Sequence, residues 1–298
     1  RAARRRPVLH CAPTASQRGE TPYCARSTSH SNGRKTMTLT VASWNVNSIK
    51  ARLPNVLDWL REAKPDVVCL QEIKTIDENF PRMEIEDLGY NVETHGQKTY
   101  NGVAILSRLP IEDVTPRLPG DEDDEQARYL EAVISAESGP VRVASIYLPN
   151  GNPAPGPKYD YKLAWMERLR RHAEKLLALE EPLILAGDYN VIPRDSDCWD
   201  PEVWEKDALA LPQSRAAFRA LKWLGLTEAF EQVDGRGHQY TFYDYQAGRW
   251  QKGHGIRIDH LLLSPQAADR ITGIEIHKKT RGEPKASDHI PIVGSFEL

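Results

Sequence analysis

Asp288 and His289 stand side by side in the stretch ASDHIPIV, just before the apolar run that closes the chain. That run contains Ile290, Ile292 and Val293 and predicts a buried strand, where a charge is costly unless it is paired or used. An acid and an imidazole in such a place can move a proton, bind a metal ion or donate to a phosphate. They could equally lie in an ordinary loop before the strand. The ends of the other predicted strands help to decide between the two interpretations.

Polar side chains also stand at the ends of the other predicted strands. Segments such as LTVASW, DVVCLQ, VRVASIY and PLILAG are short, apolar and rich in β-branched residues, as strands usually are. The polar residues at their ends are Asn45, Asn47, Glu72, Tyr147, Asp188, Asn190 and Asp259. Any one of them has an ordinary role in a turn or on the surface. Together, on rigid strand ends, they predict one preorganised site.

The residue types narrow the chemistry of this site to a hard cation and a phosphate. Carboxylate and amide oxygens suit Mg²⁺ or Mn²⁺, which retain water and bind phosphate groups. Zinc is not indicated, because the sequence has no C-x-x-C pair and its clustered histidines have no thiol partner. The sequence also lacks the G-x-S-x-G, P-loop and G-x-G-x-x-G motifs. These absences argue against serine-hydrolase, nucleotide-driven and dinucleotide chemistry and leave a hard cation that binds phosphate as the favoured interpretation.

The elements that must position these residues alternate between strand and helix. Apolar residues recur at helical spacing over residues 53–63 and 161–180, and a third helix is predicted to begin at Ser214 as its N-cap and to meet Gly225. No linker rich in Pro, Gly or Ser divides residues 37–298. We predict one α/β domain over that range.

Charge is distributed unevenly along the chain. Residues 1–36 carry eight basic residues and one acid, whereas the formal net charge of the whole chain is -3. Residues 37–298 are therefore acidic overall. If the ligand is a nucleic acid, local clusters of basic residues or metal ions must neutralise its phosphates. We interpret residues 1–36 as a disordered extension or a start-site artefact before Met37, with organelle targeting of an otherwise cytoplasmic protein as the alternative. No apolar run is long enough to span a membrane.

Seven segments resemble, in order, the motifs of the exonuclease III family. They are SWNVNSIKARL, DVVCLQEIK, HGQKTYNGVAILSR, YLPNG, GDYNV, GIRIDHLLLS and SDHIPIVGSF. LQE, GD-N and SDH are typical of the whole endonuclease/exonuclease/phosphatase superfamily, whereas HGQK, YLPNG and SDHIPIV indicate its DNA-repair branch. The resemblance implies a four-layer αββα sandwich of the DNase I type, with two mixed sheets packed face to face and helices outside. It also implies a Mg²⁺-dependent enzyme that cuts beside abasic sites and trims 3′ ends of duplex DNA, with Mn²⁺ able to substitute.

The resemblance further implies roles for individual residues. The metal ion would be surrounded by Asn45, Asn47, Glu72, Asp188, Asn190, Asp288 and His289, with Glu72 as its principal ligand. The phosphate and the attacking water would be handled by Tyr147, Asp188, Asn190, Asp259 and His289. Either Asp188, or His289 oriented by Asp259, would take the proton of the water, and the sequence leaves both open. Arg128 and Asn150 would contact DNA. Phe242, Ile256 and Ile258 would line a pocket for an extruded abasic sugar, with ordinary core packing as their alternative role.

Two other functions remain open. A superfamily phosphodiesterase acting on inositol phosphates or phospholipid headgroups would share GD-N and SDH, but not HGQK and YLPNG as a set. A catalytically idle nucleic-acid-binding module would be expected to have a damaged metal set, whereas Glu72, Asp188 and His289 are all present. The favoured interpretation is a monomeric nuclease of base excision repair, with duplex DNA as its partner and no membrane association.

Overall fold

The structure, a computed structural model, describes residues 38–297, so the interpretation of residues 1–36 lies outside the described residues. The strands are β1 (Thr38–Asn45), β2 (Val67–Gln71), β3 (Asn91–His95), β4 (Val103–Ser107), β5 (Ile111–Pro116), β6 (Tyr129–Ala136), β7 (Gly139–Tyr147), β8 (Leu183–Asp188), β9 (Thr227–Glu228), β10 (Asp259–Leu263), β11 (Ile271–Ile276) and β12 (Ile292–Glu297). The α-helices are α1 (Ile49–Ala63), α2 (Arg82–Glu86), α3 (Pro157–Leu177), α4 (Pro201–Trp204), α5 (Pro212–Lys222), α6 (Ala229–Val233), α7 (Arg249–Lys252) and α8 (Pro265–Ala268). Over residues 38–297, none of the helices combines the length and the apolar character that crossing a membrane requires.

The strands form two mixed sheets of six strands each. The first sheet has the order β11-β12-β1-β2-β4-β3, and the second has the order β5-β6-β7-β8-β10-β9. β1 runs parallel to β2 and β7 runs parallel to β8, whereas β12 and β10 pair antiparallel with β1 and β8. The predicted α/β class with two mixed sheets is confirmed.

Apolar side chains bind the four layers together. Between the sheets, Val67 of β2 and Val143 of β7 belong to one buried cluster. Trp59 of α1 packs with the outer face of the first sheet, and Trp165 of α3 and Phe218 of α5 pack with the outer face of the second. Because the central strands are covered on both faces, β2 and β8 are buried throughout. The implied αββα sandwich is therefore present.

The three predicted helices are all present, but their ends differ from the prediction. α1 begins at Ile49, ahead of the predicted residues 53–63, because the Ser48 side chain accepts from the amide of Ala51 and caps the first turn. The helix predicted over residues 161–180 is α3, which begins earlier, with a proline in its first turn.

The predicted N-cap of the third helix was wrong. α5 begins at Pro212, and Ser214 lies inside its first turn. The Ser214 hydroxyl is buried and donates to the Ala208 carbonyl at 2.6 Å. Proline suits the first turn of a helix, where its missing amide is no loss. The hydroxyl therefore binds the loop before the helix instead of capping the first turn.

Strand register aligns the polar strand ends. In the second sheet, Tyr147 lies opposite Asp188, and Asp188 lies opposite Asp259 on the next strand. In the first sheet, Asn45 ends β1 beside the end of β2, which Glu72 follows directly. Both sheets therefore present polar groups at one edge of the sandwich.

A buried charge network supports the strand that carries Asp259. Arg257 is 3% exposed, and its guanidinium lies 2.6 Å from Asp197 Oδ1 and 3.0 Å from Glu228 Oε2. Burial alone would raise the pKa of Glu228, but the charges and hydrogen bonds of Arg257 and His260 outweigh it and lower that pKa to about 2. The network ties β9 to the segment that leads into β10.

Glu228→Gln is expected to lower the free energy of unfolding by about 3–5 kcal/mol at neutral pH, because it leaves the buried guanidinium of Arg257 without a full counter-charge. In the folded protein the pKa of Glu228 is about 2, below the usual value of 4.5. The ionised Glu228 therefore contributes its full stabilisation of the fold above pH 4.5, and this contribution is lost as the pH falls towards 2. Urea unfolding at neutral and acidic pH measures the free energy of unfolding of both proteins. The difference in this free energy between Glu228→Gln and the wild type should become smaller on acidification. Glu84→Gln, at an exposed position of α2, is the matched control. Equal stability of the two variants would contradict the prediction.

Candidate metal and phosphate site

Three titratable side chains from both sheets converge at the shared edge. Glu72, Asp188 and His289 each offer one ligand atom, and these atoms all lie within 4.8 Å of one another. Asp188 is 1% exposed and His289 is 4% exposed. The structure thus brings together the residues that the sequence placed far apart, in a setting where charges interact strongly.

Asn45 joins the two sheets at the centre of this cluster. Its Nδ2 donates to Glu72 Oε1 at 2.9 Å and to Asp188 Oδ2 at 3.0 Å. Its Oδ1 accepts from the backbone amide of Asn47 at 3.0 Å. Because the nitrogen donates to both carboxylates, Asn45 orients Glu72 and Asp188 towards each other at the predicted metal site.

Lys74 contacts the outer side of Glu72, which the sequence did not indicate. The Lys74 ammonium lies 2.7 Å from Glu72 Oε2 and donates to Asn47 Oδ1 at 2.6 Å. Asn47 Nδ2 in turn donates to Asp288 Oδ1 at 3.1 Å. Burial would raise the pKa of Glu72, but Lys74 and Asn45 outweigh it and lower that pKa. The side-chain oxygens of Glu72 and Asn47 therefore already stabilise one cation, the ammonium group of Lys74.

Left-handed backbone at the strand ends directs these side chains. Asn47, Glu72 and Asn190 have φ values of 45°, 52° and 47°, a conformation that side chains other than glycine and asparagine rarely adopt. The Ser48 amide donates to the Glu72 carbonyl at 2.7 Å, which locks the turn after β1 against the turn after β2. Since asparagine tolerates this conformation, the strain falls on Glu72, and a strained residue of this kind is common at functional sites.

Asp259 fixes the orientation of the His289 ring through Nδ1. His289 Nδ1 lies 2.9 Å from Asp259 Oδ2, and its Nε2 lies 3.7 Å from Asp188 Oδ2. The Thr241 hydroxyl donates to Asp259 at 2.6 Å and fixes that carboxylate. Burial would lower the pKa of His289, but Asp259 and Asp188 outweigh it and raise it to about 10. A protonated imidazole donates from both nitrogens, so His289 suits a phosphate oxygen better than a metal ion.

Asp188 accepts hydrogen bonds on both of its oxygens. Oδ1 accepts from the Asn190 amide at 2.9 Å, and Oδ2 accepts from the side-chain amides of Asn45 and Asn190 at 3.0 and 3.2 Å. Burial raises the pKa of Asp188 to about 7; the charge of His289 opposes this rise and that of Asp259 adds to it. A carboxylate with a pKa near neutrality is well matched to removing a proton from water.

Tyr147 and Arg128 lie on the other side of Glu72. The Arg128 guanidinium is 4.7 Å from the centroid of the Tyr147 ring, and Arg128 Nε donates to Gln126 Oε1 at 2.7 Å. Burial and the charge of Glu72 raise the pKa of Tyr147 well above its usual range. The phenol therefore keeps its proton and can act as a hydrogen-bond donor.

A buried lysine, which the sequence reasoning missed, holds the two asparagine loops together. Lys162 of α3 is 0% exposed, and its Nζ lies 3.0 Å from the Asn150 carbonyl and 2.5 Å from the Asn190 carbonyl. Asn150 Nδ2 also donates to Asn190 Oδ1 at 3.1 Å. A signal was available, since Lys162 falls on the same helical stripe as the buried Met166 and Leu169.

Lys162→Met is expected to slow turnover by about 10–100-fold, since both carbonyls lose their donor and the loops that carry Asn150 and Asn190 loosen. Burial lowers the pKa of Lys162 to about 7 from 10.5, so the wild-type protein should gain stability as the pH rises between those values, whereas the variant should not. Cleavage rates and thermal melts across that pH range measure both effects. Lys175→Met, at an exposed position of the same helix, is the control. Wild-type turnover in Lys162→Met would contradict the assigned role.

The three predicted pocket residues belong to one apolar cluster, in which Ile256 and Ile258 are buried and Phe242 is partly buried. Phe242 and Ile256 exchange backbone hydrogen bonds of 3.0 Å, and both line a cavity of about 210 Å³. The centroid of the Phe242 ring lies 4.9 Å from that of His289. Ile258 is 2% exposed and packs in the core, outside the lining of the cavity. Ile258 therefore fits the alternative role of core packing, and its contact with an abasic sugar stays a prediction.

Known proteins share this arrangement of sheets. The model of the Endonuclease/Exonuclease/phosphatase family matches residues 42–289. The exodeoxyribonuclease III of Haemophilus influenzae is 32% identical over 263 residues, which cover 86% of this chain and 98% of that protein. The solved structure of a 3′-5′ exonuclease (NExo) from Neisseria meningitidis matches with a TM-score of 0.84 and 37% sequence identity. The structure of an AP endonuclease from Archaeoglobus fulgidus matches with a TM-score of 0.83 and 35% sequence identity. Each match covers 87% of this chain and 100% of the other chain. The chain therefore belongs to the Endonuclease/Exonuclease/phosphatase family, in its exodeoxyribonuclease III branch.

Proposed function

We propose that the protein is a divalent-metal-dependent DNA-repair nuclease. It hydrolyses the phosphodiester on the 5′ side of abasic sites and removes nucleotides or blocking groups from the 3′ ends of duplex DNA. The observation that carries this proposal is the convergence of Glu72, Asp188 and His289 within 4.8 Å at the edge shared by both sheets. The relatives named as an exodeoxyribonuclease and an AP endonuclease support DNA as the substrate. All of these groups come from one chain, and we propose that it acts as a monomer.

The donor set fits a hard divalent cation. Glu72, Asn47 and Asp288 carry the oxygens that Mg²⁺ and Mn²⁺ prefer, and the Lys74 ammonium already contacts two of these three residues. We assign the site to Mg²⁺, with Mn²⁺ as a substitute. When bound, the ion polarises the phosphate and neutralises charge on the leaving oxygen.

Asp188 is assigned as the base that deprotonates the attacking water. His289 is poorly suited to that task, because its two carboxylate neighbours raise its pKa to about 10 and keep it protonated at neutral pH. The oxygen of the water attacks phosphorus, and the bond from phosphorus to the 3′-oxygen of the preceding nucleotide breaks. Asn190 holds Asp188 in position through its backbone amide and its side-chain amide, and it supports the phosphate-binding groups by accepting from Asn150 Nδ2.

The remaining groups stabilise charge on the phosphate. His289 Nε2, oriented through Nδ1 by Asp259, donates to a phosphate oxygen, and the protonated phenol of Tyr147 donates to the phosphate or to the leaving oxygen. Asn150 and Arg128 contact the adjoining DNA backbone. Fixed donors of this kind act without reorganisation at the moment of reaction, and removing one typically costs about 10²–10³-fold in rate.

The test of this function is incubation with a duplex that carries a single abasic site, with and without a chelator. We expect one nick on the 5′ side of the abasic site, which the chelator abolishes and added Mg²⁺ restores. A panel of inositol phosphates and phospholipid headgroup esters, assayed in the same buffer, should remain intact. Hydrolysis of those esters with an intact duplex would reverse the assignment of the substrate class.

A further inference from the structure

We infer that a cavity at the end of the sandwich opposite the catalytic edge is a docking site for a partner protein. The part of the partner that binds is an acidic segment that carries one apolar side chain. The cavity has a volume of about 440 Å³, and its lining residues are Leu60, Arg61, Lys64, Leu88, Tyr90 and Arg108. This basic cavity takes no part in the proposed nuclease chemistry, so the inference goes beyond that function.

The basic cavity lies far from the residues of the proposed metal site. α1 begins two residues after Asn47 and carries Arg61 in its last turn. A helix of 15 residues is about 22 Å long. On the other wall, Arg108 follows β4, whose end lies beside the first residue of β2, whereas Glu72 follows the last residue of β2. A partner in the cavity can therefore bind while DNA occupies the catalytic edge.

The rim of the basic cavity is positively charged, although residues 37–298 are acidic overall. Arg61, Lys64 and Arg108 are all exposed to solvent. Of these three, only Arg61 forms an ion pair within the described residues, with Asp58 at 2.8 Å, and both partners of that pair are exposed. Three cations around one opening create a local positive potential, which attracts a negatively charged segment.

Part of this positive charge has a structural explanation. Arg61 and Lys64 stand at the C-terminal end of α1, where cations complement the helix dipole. Arg108 lies in the loop after β4 and also lines the cavity, but it belongs to no helix. The helix dipole therefore accounts for two of the three cations. Arg108 is the residue that distinguishes a docking site from stabilisation of α1.

The floor of the basic cavity is apolar and is held in place before any ligand binds. Leu60 and Tyr90 are 1% and 4% exposed, and Leu88 is half-buried. The Tyr90 hydroxyl donates to the Pro65 carbonyl at 2.8 Å, which fixes the ring. The volume of about 440 Å³ falls within the roughly 300–1,000 Å³ of pockets that bind small molecules. A leucine or phenylalanine side chain of a partner can therefore pack on this floor with little ordering of the protein.

The arrangement of charge and apolar surface favours a peptide over other anions. The cations are spread around the rim and exposed, so they suit several carboxylates along a segment better than one phosphate group. The ring of Tyr90 is buried and offers no open face on which a nucleobase could stack. Residues 1–36, with eight bases and one acid, have the same sign of charge as the rim. An acidic segment with one apolar side chain complements both the rim and the floor.

Arg108→Glu tests the docking site. The probe is a fluorescein-labelled peptide rich in aspartate that carries a single phenylalanine, and its binding to the protein of residues 1–298 is followed by fluorescence anisotropy. We expect Arg108→Glu to weaken binding at least tenfold, because attraction is replaced by repulsion, whereas Arg108→Lys should retain most of the affinity. Replacing the phenylalanine of the peptide with serine should also weaken binding at least tenfold. Lys175→Glu reverses a charge at an exposed position of α3 outside the cavity lining, and it should bind the peptide as the wild type does.

The melting temperature and the cleavage of an abasic duplex should be the same in Arg108→Glu as in the wild type, since the exposed side chain lies away from the catalytic edge. Equal peptide affinity in Arg108→Glu and the wild type overturns the inference, and so does a wild type that does not bind the peptide. Tighter binding of single-stranded DNA than of the peptide, lost in Arg108→Glu, overturns it in favour of a nucleic acid. Self-association of the wild type in light scattering, abolished by Arg108→Glu, overturns it in favour of a second copy of this chain.

Discussion

Asp188→Asn is expected to slow single-turnover cleavage of an abasic duplex by about 10³-fold or more while leaving the protein folded. The amide keeps the shape of the side chain but cannot accept the proton of the attacking water. Stability should change little, because two opposing effects meet at this position. Burial raises the pKa of Asp188 to about 7, so removing the charge relieves a desolvation cost. The amide nitrogen, however, replaces an oxygen that accepts from Asn45 and Asn190.

The experiment requires enzyme in excess over DNA, so that the rate reports chemistry rather than binding or product release. A thermal melt of the same preparation shows whether the fold is retained. Asp58→Asn, at a position where the side chain is 73% exposed on α1, is the matched control and should cleave at the wild-type rate. A near-normal rate in Asp188→Asn would transfer the role of base away from this residue and would contradict the assignment made from the pKa values of Asp188 and His289.

Glu72→Gln is expected to raise the divalent-metal concentration required for half-maximal cleavage by about 10–100-fold or more. The substitution removes the one carboxylate of the cluster that lies beside Asn47 and Lys74, and with it the charge that attracts the cation. Duplex binding in chelator should be retained or strengthened, because one negative charge facing the phosphates has been removed. Titrations of cleavage rate against Mg²⁺ and Mn²⁺, together with fluorescence anisotropy of labelled duplex in chelator, measure the two quantities.

Glu62→Gln is the matched control for this variant, because that side chain is 65% exposed and pairs only with Lys279 in the described structure. It should show the wild-type metal dependence. If Glu72→Gln showed the same metal dependence as Glu62→Gln, the metal would have to bind elsewhere. A loss of duplex binding in chelator would instead give Glu72 a structural role in the DNA-binding surface.

Periodicity and residue type predicted one α/β domain and the polar strand ends that carry the site, whereas the four layers of the fold were implied only by the resemblance to the exonuclease III family. The β-branched segments and the apolar helical stripes report which face of each element is buried, since burial is decided locally by the alternation of side chains. The polar residues at strand ends, read with the preferences of hard cations, predicted the type of chemistry. The ordered motifs predicted the family, which the match over residues 42–289 confirms.

Periodicity does not report which polar groups touch. Asn45 bridges Glu72 and Asp188 across two sheets, and its partners lie 27 and 143 residues away along the chain. Such contacts depend on how the sheets stack, and no local pattern encodes that stacking. The same reason explains why the contacts of Lys74 and Lys162 were missed. The helical stripe of α3 indicates that Lys162 is buried, but no local pattern identifies the carbonyl groups that its ammonium reaches.

The sequence by itself predicted the three longest helices of the described residues, the strands whose ends carry the site, the chemistry of those strand ends and, through the ordered motifs, the family, because each of these depends on residue types and on spacing along the chain. Tertiary structure alone decided that Asn45 organises the acids and that Phe242 and Ile256 line a cavity beside His289. These contacts arise where elements distant in sequence pack together. Their geometry is set by the collective packing of both sheets rather than by any single segment.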